Sequence, residues 1–389
     1  MGIAAFVYGL MAFSAQPAAP EDAPPIVVTG RRLSDTEAAL RACLARKCPP
    51  GEDIDASLAH AENQFVAGDY REARSTLRAS LRRNRKQARA YPEPVSDLFR
   101  ANALVAAHLG FDDDYIRSTW GILESLEKGI PEPDARHFGA RMEIAAMTAR
   151  TRGAPAAEAA YAELARDSER AGRPDIAAIA RLRGAGLAYR QMPSGENRRR
   201  LVEIARSASP ETRVASLMAK LFLARIARQE GKAGEADALL REVAAGGFKT
   251  PVLIHSPPYE LLVREMAGAS DRDVADQGAG LAARGNPARR FGGNFEKTWI
   301  DVGFWVQPNG RVSHVEILRR KGDPDWAAPL LRAIGGRLYA PAREPAYRLE
   351  RYSYTAGYEA QTGTRIRQRS PRARVEYLDL TAAPEPAAP

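Results

Sequence analysis

Between Lys297 and Tyr358 the apolar pattern of this chain switches from a helical spacing to a period of two. That switch limits what the chain can fold into. Ile300, Val302, Phe304 and Val306 alternate with Trp299, Asp301, Gly303 and Trp305. Successive side chains of a strand point to opposite faces, so the first set is expected against a core helix and the second set on the far side. Pro308-Asn309-Gly310 then signals a turn, because Asn-Gly accepts positive φ at little cost. Val315 and Ile317 continue the apolar face in a second strand, with His314, Glu316 and Leu318 opposite. Asp323-Pro324 can cap and start a helix. Its apolar stripe is Leu330, Leu331 and Ile334, and Gly335-Gly336 ends it. Tyr352, Tyr354 and Tyr358 share one parity in a final strand.

The ordered set Asn309-Gly310-Arg311-Val312, Val315 to Leu318, Leu330 to Ile334 and Tyr339-Ala340-Pro341-Ala342 resembles the C-terminal domain of the TonB energy-transducer family. The resemblance implies a small antiparallel ββαβ domain over 294–362, in which Asn309, Gly310, Arg311, Val312, Tyr339, Pro341 and Ala342 are the motif positions. It also implies an exposed sheet edge that accepts an added strand. The chain departs from the transducers in two ways. It has no Pro/Lys-rich rod, and its nearest relative of their Tyr-Pro motif is Pro257-Pro258-Tyr259. At the other end, Ile26, Val27, Val28, Thr29 and Gly30 are similar to the TonB box of outer-membrane receptors. Such a peptide binds by adding a strand, with main-chain hydrogen bonds giving affinity. Residues 26–30 are therefore a candidate strand-pairing peptide for the edge of the 298–358 sheet, within or between chains.

Residues 34–270 read as short amphipathic helices punctuated by Gly, Pro or Asn. Around Gly68-Asp69-Tyr70 two helices are expected to meet, with Ala73 and Leu77 spaced to pack them together. This resembles a tetratricopeptide repeat, in which a glycine closes the turn and a small residue allows close approach. Gly231 and Ala236 take the equivalent places further on, and 149–167 carries a weaker echo. The expectation is a tetratricopeptide-like solenoid, with an irregular all-α bundle as the alternative. Residues 271–293 read as a Gly-rich linker, from the Gly and Pro spread through 278–293. The fold class expected is thus α+β multidomain: an N-terminal all-α tetratricopeptide-like solenoid, then the ββαβ domain, then a basic, Pro/Ala-rich tail over 363–389.

Ile3 to Ala15 is an uncharged apolar core with Ala12-Phe13-Ser14 at a cleavage-type spacing, and no basic residue precedes Arg31. Residues 1–20 read as a secretory signal, and a retained membrane anchor is the alternative. An extended leader, 21–33, follows. The chain holds two cysteines, Cys43 and Cys48. In an oxidising compartment this pair reads as a disulfide. On an unbroken helix the two would point about 140° apart. Bridging therefore needs the helix to end near Lys47, where Pro49-Pro50 supply the stop. The formal charge of +9 comes mostly from arginine spread over the helices, and reads mainly as solvated faces. The run from Arg365 to Arg374 holds five arginines and no acid, a composition suited to weak contact with anionic envelope polymers or lipids.

No catalytic, cofactor-binding or metal-ligating constellation emerges. The five histidines share no motif. His314 with Glu316 lacks a third ligand, and Asp112-Asp113-Asp114 lacks calcium-loop spacing. No phosphate loop, nucleophile elbow or zinc-protease helix is present, and no base accompanies Cys43. The sequence reads as a periplasmic, non-enzymatic protein–protein scaffold or adaptor. Its expected partners are proteins of the TonB system or outer-membrane receptors, with self-association through 26–30 and no nucleic acid. The alternatives are a membrane-anchored transducer and an accessory factor of a cell-wall hydrolase.

Overall fold

A computed structural model describes residues 32–245, 251–257 and 298–381, apart from 323, 325, 343 and 361–366. The expected secretory segment, residues 26–30, Pro258-Tyr259 and the linker expected at 271–293 lie outside the described residues. The chain is mostly helical with a small antiparallel sheet region, an α+β layout, and it divides into a helical unit and a β-containing unit beginning at Phe248.

In the helical unit, α1 (Leu33–Ala45), α2 (Pro50–Val66), α3 (Tyr70–Asn84), α4 (Pro92–His108) and α5 (Asp112–Gly129) follow one another through short turns. Next come α6 (Ala135–Thr151), α7 (Ala154–Arg170), α8 (Pro174–Gln191), α9 (Gly195–Ala205), α10 (Arg213–Gln229) and α11 (Ala233–Ala245). Proline occupies the first turn of α2, α4, α7 and α8, where its missing N–H would have had no intrahelical partner. Asp134 and Ser194 accept backbone N–H groups at the starts of α6 and α9. One exit turn recurs. The N–H donors of Asp69, Phe111, Arg173 and Lys232 reach back to the carbonyls of Gln64, Ala106, Ser168 and Ala227, each at 2.8 Å. The residue before each donor is a glycine with φ between 70° and 82°. This is the helix-ending geometry in which a left-handed residue lets the chain satisfy its last carbonyls.

The hydrophobic clusters are local along the chain. Ile122, Leu126, Ile144 and Met147 join α5 to α6. Phe138, Met142, Tyr161, Leu164 and Ala177 join α6, α7 and α8, while Leu182, Leu201, Leu223 and Ile226 join α8, α9 and α10. At the first pair, Ala73 and Leu77 are fully buried, and the Tyr70 ring lies 4.9 Å from Phe65 and 4.2 Å from His108.

The β-containing unit holds β1 (Leu253–His255), β2 (Trp299–Val306), β3 (Val312–Lys321), α12 (Ala327–Gly335), β4 (Leu338–Tyr339), β5 (Ala346–Ala360) and β6 (Arg367–Asp379). A four-stranded antiparallel sheet runs β3-β2-β5-β6, and β1 pairs with β4 apart from it. Ile300, Val302, Phe304 and Val306 pack with Leu330 and Ile334 of α12, so the period-two expectation and the helix stripe meet in one core.

Three expectations need correction. Helix was expected through 270, but α11 ends at Ala245 and 253–255 is a strand. Pro251 and the β-favouring Val252-Leu253-Ile254 account for the change, since main-chain pairing to Tyr339 and Ala340 satisfies them. The tail begun at 363 contains β6, because its N–H and C=O groups find partners along β5. The helix expected at Asp323-Pro324 starts instead at Ala327, after a bond from its N–H to the Pro324 carbonyl of 2.7 Å.

Candidate strand-pairing site

The motif positions converge at one end of the β-containing unit. Gly310 takes φ 79°, Gln307 N–H bonds the Arg311 carbonyl at 2.8 Å, and Arg311 N–H bonds Asn309 Oδ1 at 3.0 Å. The turn so formed docks on the Tyr339–Ala342 step. Tyr339 N–H donates to the Gly310 carbonyl at 2.8 Å and Ala342 N–H to the Pro308 carbonyl at 3.1 Å. A Cβ on Gly310 would stand 2.0 Å from the Tyr339 carbonyl oxygen, so only glycine fits this approach. The Tyr339 ring is buried against Phe304, their centroids 6.4 Å apart. Burial and the nearby Glu350 charge push its hydroxyl well above the usual tyrosine range. It stays neutral.

The sheet has two edges, β3 and β6. On β3 the ladder slips by one residue near His314, which takes φ 52°, and again between the Asp301 and Val302 pairings. Such bulges bend and twist an edge and restrict where a further strand can pair. His314, Glu316, Leu318, Arg319 and Arg320 are exposed along it. Pro371 lies within β6, which therefore has one backbone donor fewer.

Two buried ionic clusters, absent from the sequence reading, brace the sheet on its opposite faces. On one, Arg351 grips Asp301 through Nε at 2.6 Å and Nη2 at 2.9 Å, and its guanidinium lies 3.7 Å from the Trp299 ring. Arg319 reaches the same carboxylate at 2.8 Å. On the other face, Arg337 donates to Glu350 at 2.6 Å and to the Tyr352 hydroxyl at 2.8 Å. Tyr377 and Asp379 of β6 complete this side, the first donating to Glu350 at 3.3 Å and the second accepting from Arg348 at 2.6 Å. Burial opposes the Arg348 charge, yet Asp379, Tyr377 and Glu350 hold its pKa above the ordinary value. The sequence signal for these groups was Asp301 and Arg351 inside otherwise apolar alternations. Their pairing spans fifty residues and follows only from the register of β2 on β5.

Elsewhere, Cys43 and Cys48 form a disulfide with Cα atoms 5.1 Å apart, and α1 ends at Ala45 as the bridge requires. Asp114 lies in the first turn of α5 and takes two bonds from Arg74, at 2.8 and 2.6 Å. Among the described residues no group of three or more His, Cys, Asp or Glu could hold a metal ion. No helix of the described residues is long and apolar enough to cross a membrane. The backbone of 367–374 is strand, while Arg365 lies outside the described residues. What the β-containing unit offers chemically is main-chain donors and acceptors on rigid strands.

No family model matches the chain, and no curated protein matches it. Among solved structures it is similar to the crystal structure of BtubC (BKLC) from P. vanneervenii, at 16% identity and a TM-score of 0.42. The match covers 57% of this chain and 91% of that one.

Proposed function

We propose that this chain is an exported, non-enzymatic scaffold or adaptor linked to TonB-dependent envelope transport. Its TonB-like domain serves as a strand-pairing module, and its tetratricopeptide-like helices form a solenoid that holds a protein partner. The observation that carries this reading is the docking of the Asn309–Val312 turn on the Tyr339–Ala342 step, which sets β3 as a rigid edge beside it. The Cys43–Cys48 bridge supports an oxidising compartment, hence the periplasm. Helix pairs closed by the same glycine turn, with clusters confined to neighbouring helices, support the solenoid.

The test uses a synthetic peptide of residues 24–31 titrated into protein lacking 1–31, with backbone amide shifts as readout. Saturable shifts confined to β3 and its turn are expected, abolished by a proline placed at Val28 of the peptide. If the peptide leaves the spectrum unchanged, and deleting 26–30 alters neither oligomeric state nor protease sensitivity, the strand-pairing role is lost. Outer-membrane receptor peptides of the same type form the second arm, and separate pairing within the chain from pairing with a partner.

A further inference from the structure

The outer face of α3 concentrates positive charge. From Arg71 to Arg89 there are eight basic residues and one acid, Glu72, in a chain whose net charge is +9. Two of the eight turn to carboxylates of neighbouring helices. Arg74 holds Asp114 of α5 at 2.8 and 2.6 Å, and Arg83 holds Asp53 of α2 at 2.7 and 2.5 Å. The other six, Arg71, Arg78, Arg82, Arg85, Lys86 and Arg89, are exposed. Among the described residues, Arg78, Arg82, Arg85, Lys86 and Arg89 pair with no carboxylate. On other helices the exposed Arg41, Arg136, Arg170 and Arg181 pair with Glu37, Glu93, Asp167 and Glu169. A solvated helix face interleaves both signs in that way, and this one does not.

The helix sets these cations in a line. At about 100° and 1.5 Å per residue, Arg71, Arg78 and Arg82 lie within about 40° of one another along roughly 16 Å of axis. Tyr70, Ala73, Leu77, Ser80, Leu81 and Asn84 are buried on the opposite side, so packing of α3 fixes the row outward. The 3-10 turn Arg85–Gln87 prolongs the helical path, with Asn84 and Ala88 in right-handed helical angles, and carries Arg85, Lys86 and Arg89 beyond its end. Ser75, also exposed, is the uncharged member of the line, and no large apolar side chain is exposed between Arg71 and Arg89.

A plane touches a cylinder along one line parallel to its axis, so a straight row of cations meets a flat anionic surface all at once. A phosphate strand of a nucleic-acid duplex winds away from such a line. We propose that the outer face of α3, with the turn after it, docks the protein on an anionic phospholipid bilayer as a peripheral contact. With no apolar side chain to insert, the attraction is electrostatic. Each Lys or Arg near such a surface strengthens binding by about fivefold, and the effect fades within a Debye length, about 8 Å at physiological salt. No residue of the β-containing unit takes part, so the contact is independent of strand pairing.

Co-sedimentation of the full chain with vesicles tests this, using phosphatidylcholine alone and phosphatidylcholine mixed with phosphatidylglycerol. Binding is expected to the mixed vesicles only, and to vanish at roughly 1 M salt, where the Debye length falls to about 3 Å. Arg78→Gln with Arg82→Gln should weaken it by about tenfold to thirtyfold, with the far-UV circular dichroism unchanged. Arg199→Gln with Arg206→Gln removes the same charge from exposed positions at α9 and should leave binding within about twofold of the parent. Equal losses from the two pairs would mean that net charge, and not the α3 row, carries the contact, and would overturn the proposal. So would equal binding to neutral vesicles, or no binding to either kind. Duplex DNA is the competing polyanion: if it binds the parent more tightly than the mixed vesicles do, lipid is not the partner of this face.

Discussion

Gly310 and Gly231 both take positive φ, at 79° and 76°, but their surroundings differ. Beside Gly310 stands the Tyr339 carbonyl, whereas a Cβ on Gly231 would meet nothing within 4 Å. Gly231→Ala should therefore cost about 1 kcal/mol, the left-handed backbone cost alone. Gly310→Ala adds a backbone collision and should cost about 3 kcal/mol or more, read from urea unfolding of each variant. Asp53 gives the residue-scale pH dependence. Burial favours its neutral form, but bonds from Arg83 (2.7 and 2.5 Å), Asn84 (2.7 Å) and Ser57 (3.0 Å) outweigh this and hold its carboxyl below the ordinary value. Its contribution to stability is present above the unfolded-state pKa of about 4 and is lost as pH falls below that toward the depressed folded value. Asp53→Asn should cost about 2 kcal/mol at neutral pH, and the gap from the parent should close in strongly acidic urea titrations.

At the scale of elements, the hairpin, α12 and the docked turn were legible because each is local: period two, Asn-Gly, an apolar stripe and a Gly-Gly stop. Strand β6 was not. Its arginines and Pro371 read as tail, and what orders it is a partner strand together with Tyr377 and Asp379 meeting Glu350 and Arg348. The buried Asp301–Arg351 pair was hidden for the same reason, since a polar residue in a strand shows its face but not its mate. Asp379→Ala removes the acceptor of both Arg348 and the Thr381 N–H. A loss of about 2 kcal/mol is expected in the β-containing unit, with faster amide exchange first in β6. Should exchange in β6 stay at parent rates, this end of the strand is held by its ladder alone.

For the whole molecule, the four clusters described share no residue between the helical and β-containing units. Calorimetry should resolve the consequence. Phe304→Ala, in the sheet core, is expected to cost about 3–5 kcal/mol in one transition and to leave the helical transition in place. A common shift of both would mean the units unfold as one. The helical order was readable in outline from glycine punctuation, whereas ion pairs between helices such as Arg74–Asp114 were not, because they depend on which faces the folding brings together.

Among the helix exits one stands apart. Cys48 N–H reaches the Cys43 carbonyl at 3.1 Å, the same reach as at the four glycine turns, but the left-handed position is Lys47 at φ 53°. A side chain there costs about 1–2 kcal/mol that glycine avoids, and the disulfide holds the turn closed regardless. Thiol reductant should thus free α1 first, parting Thr36 from His60 and Asn63 while the glycine turns hold. Lys47→Gly should make the end of α1 nearly indifferent to reductant. The first described helix is, in effect, latched by the chemistry of the medium around it, and α2, α4, α7 and α10 by backbone geometry they carry everywhere.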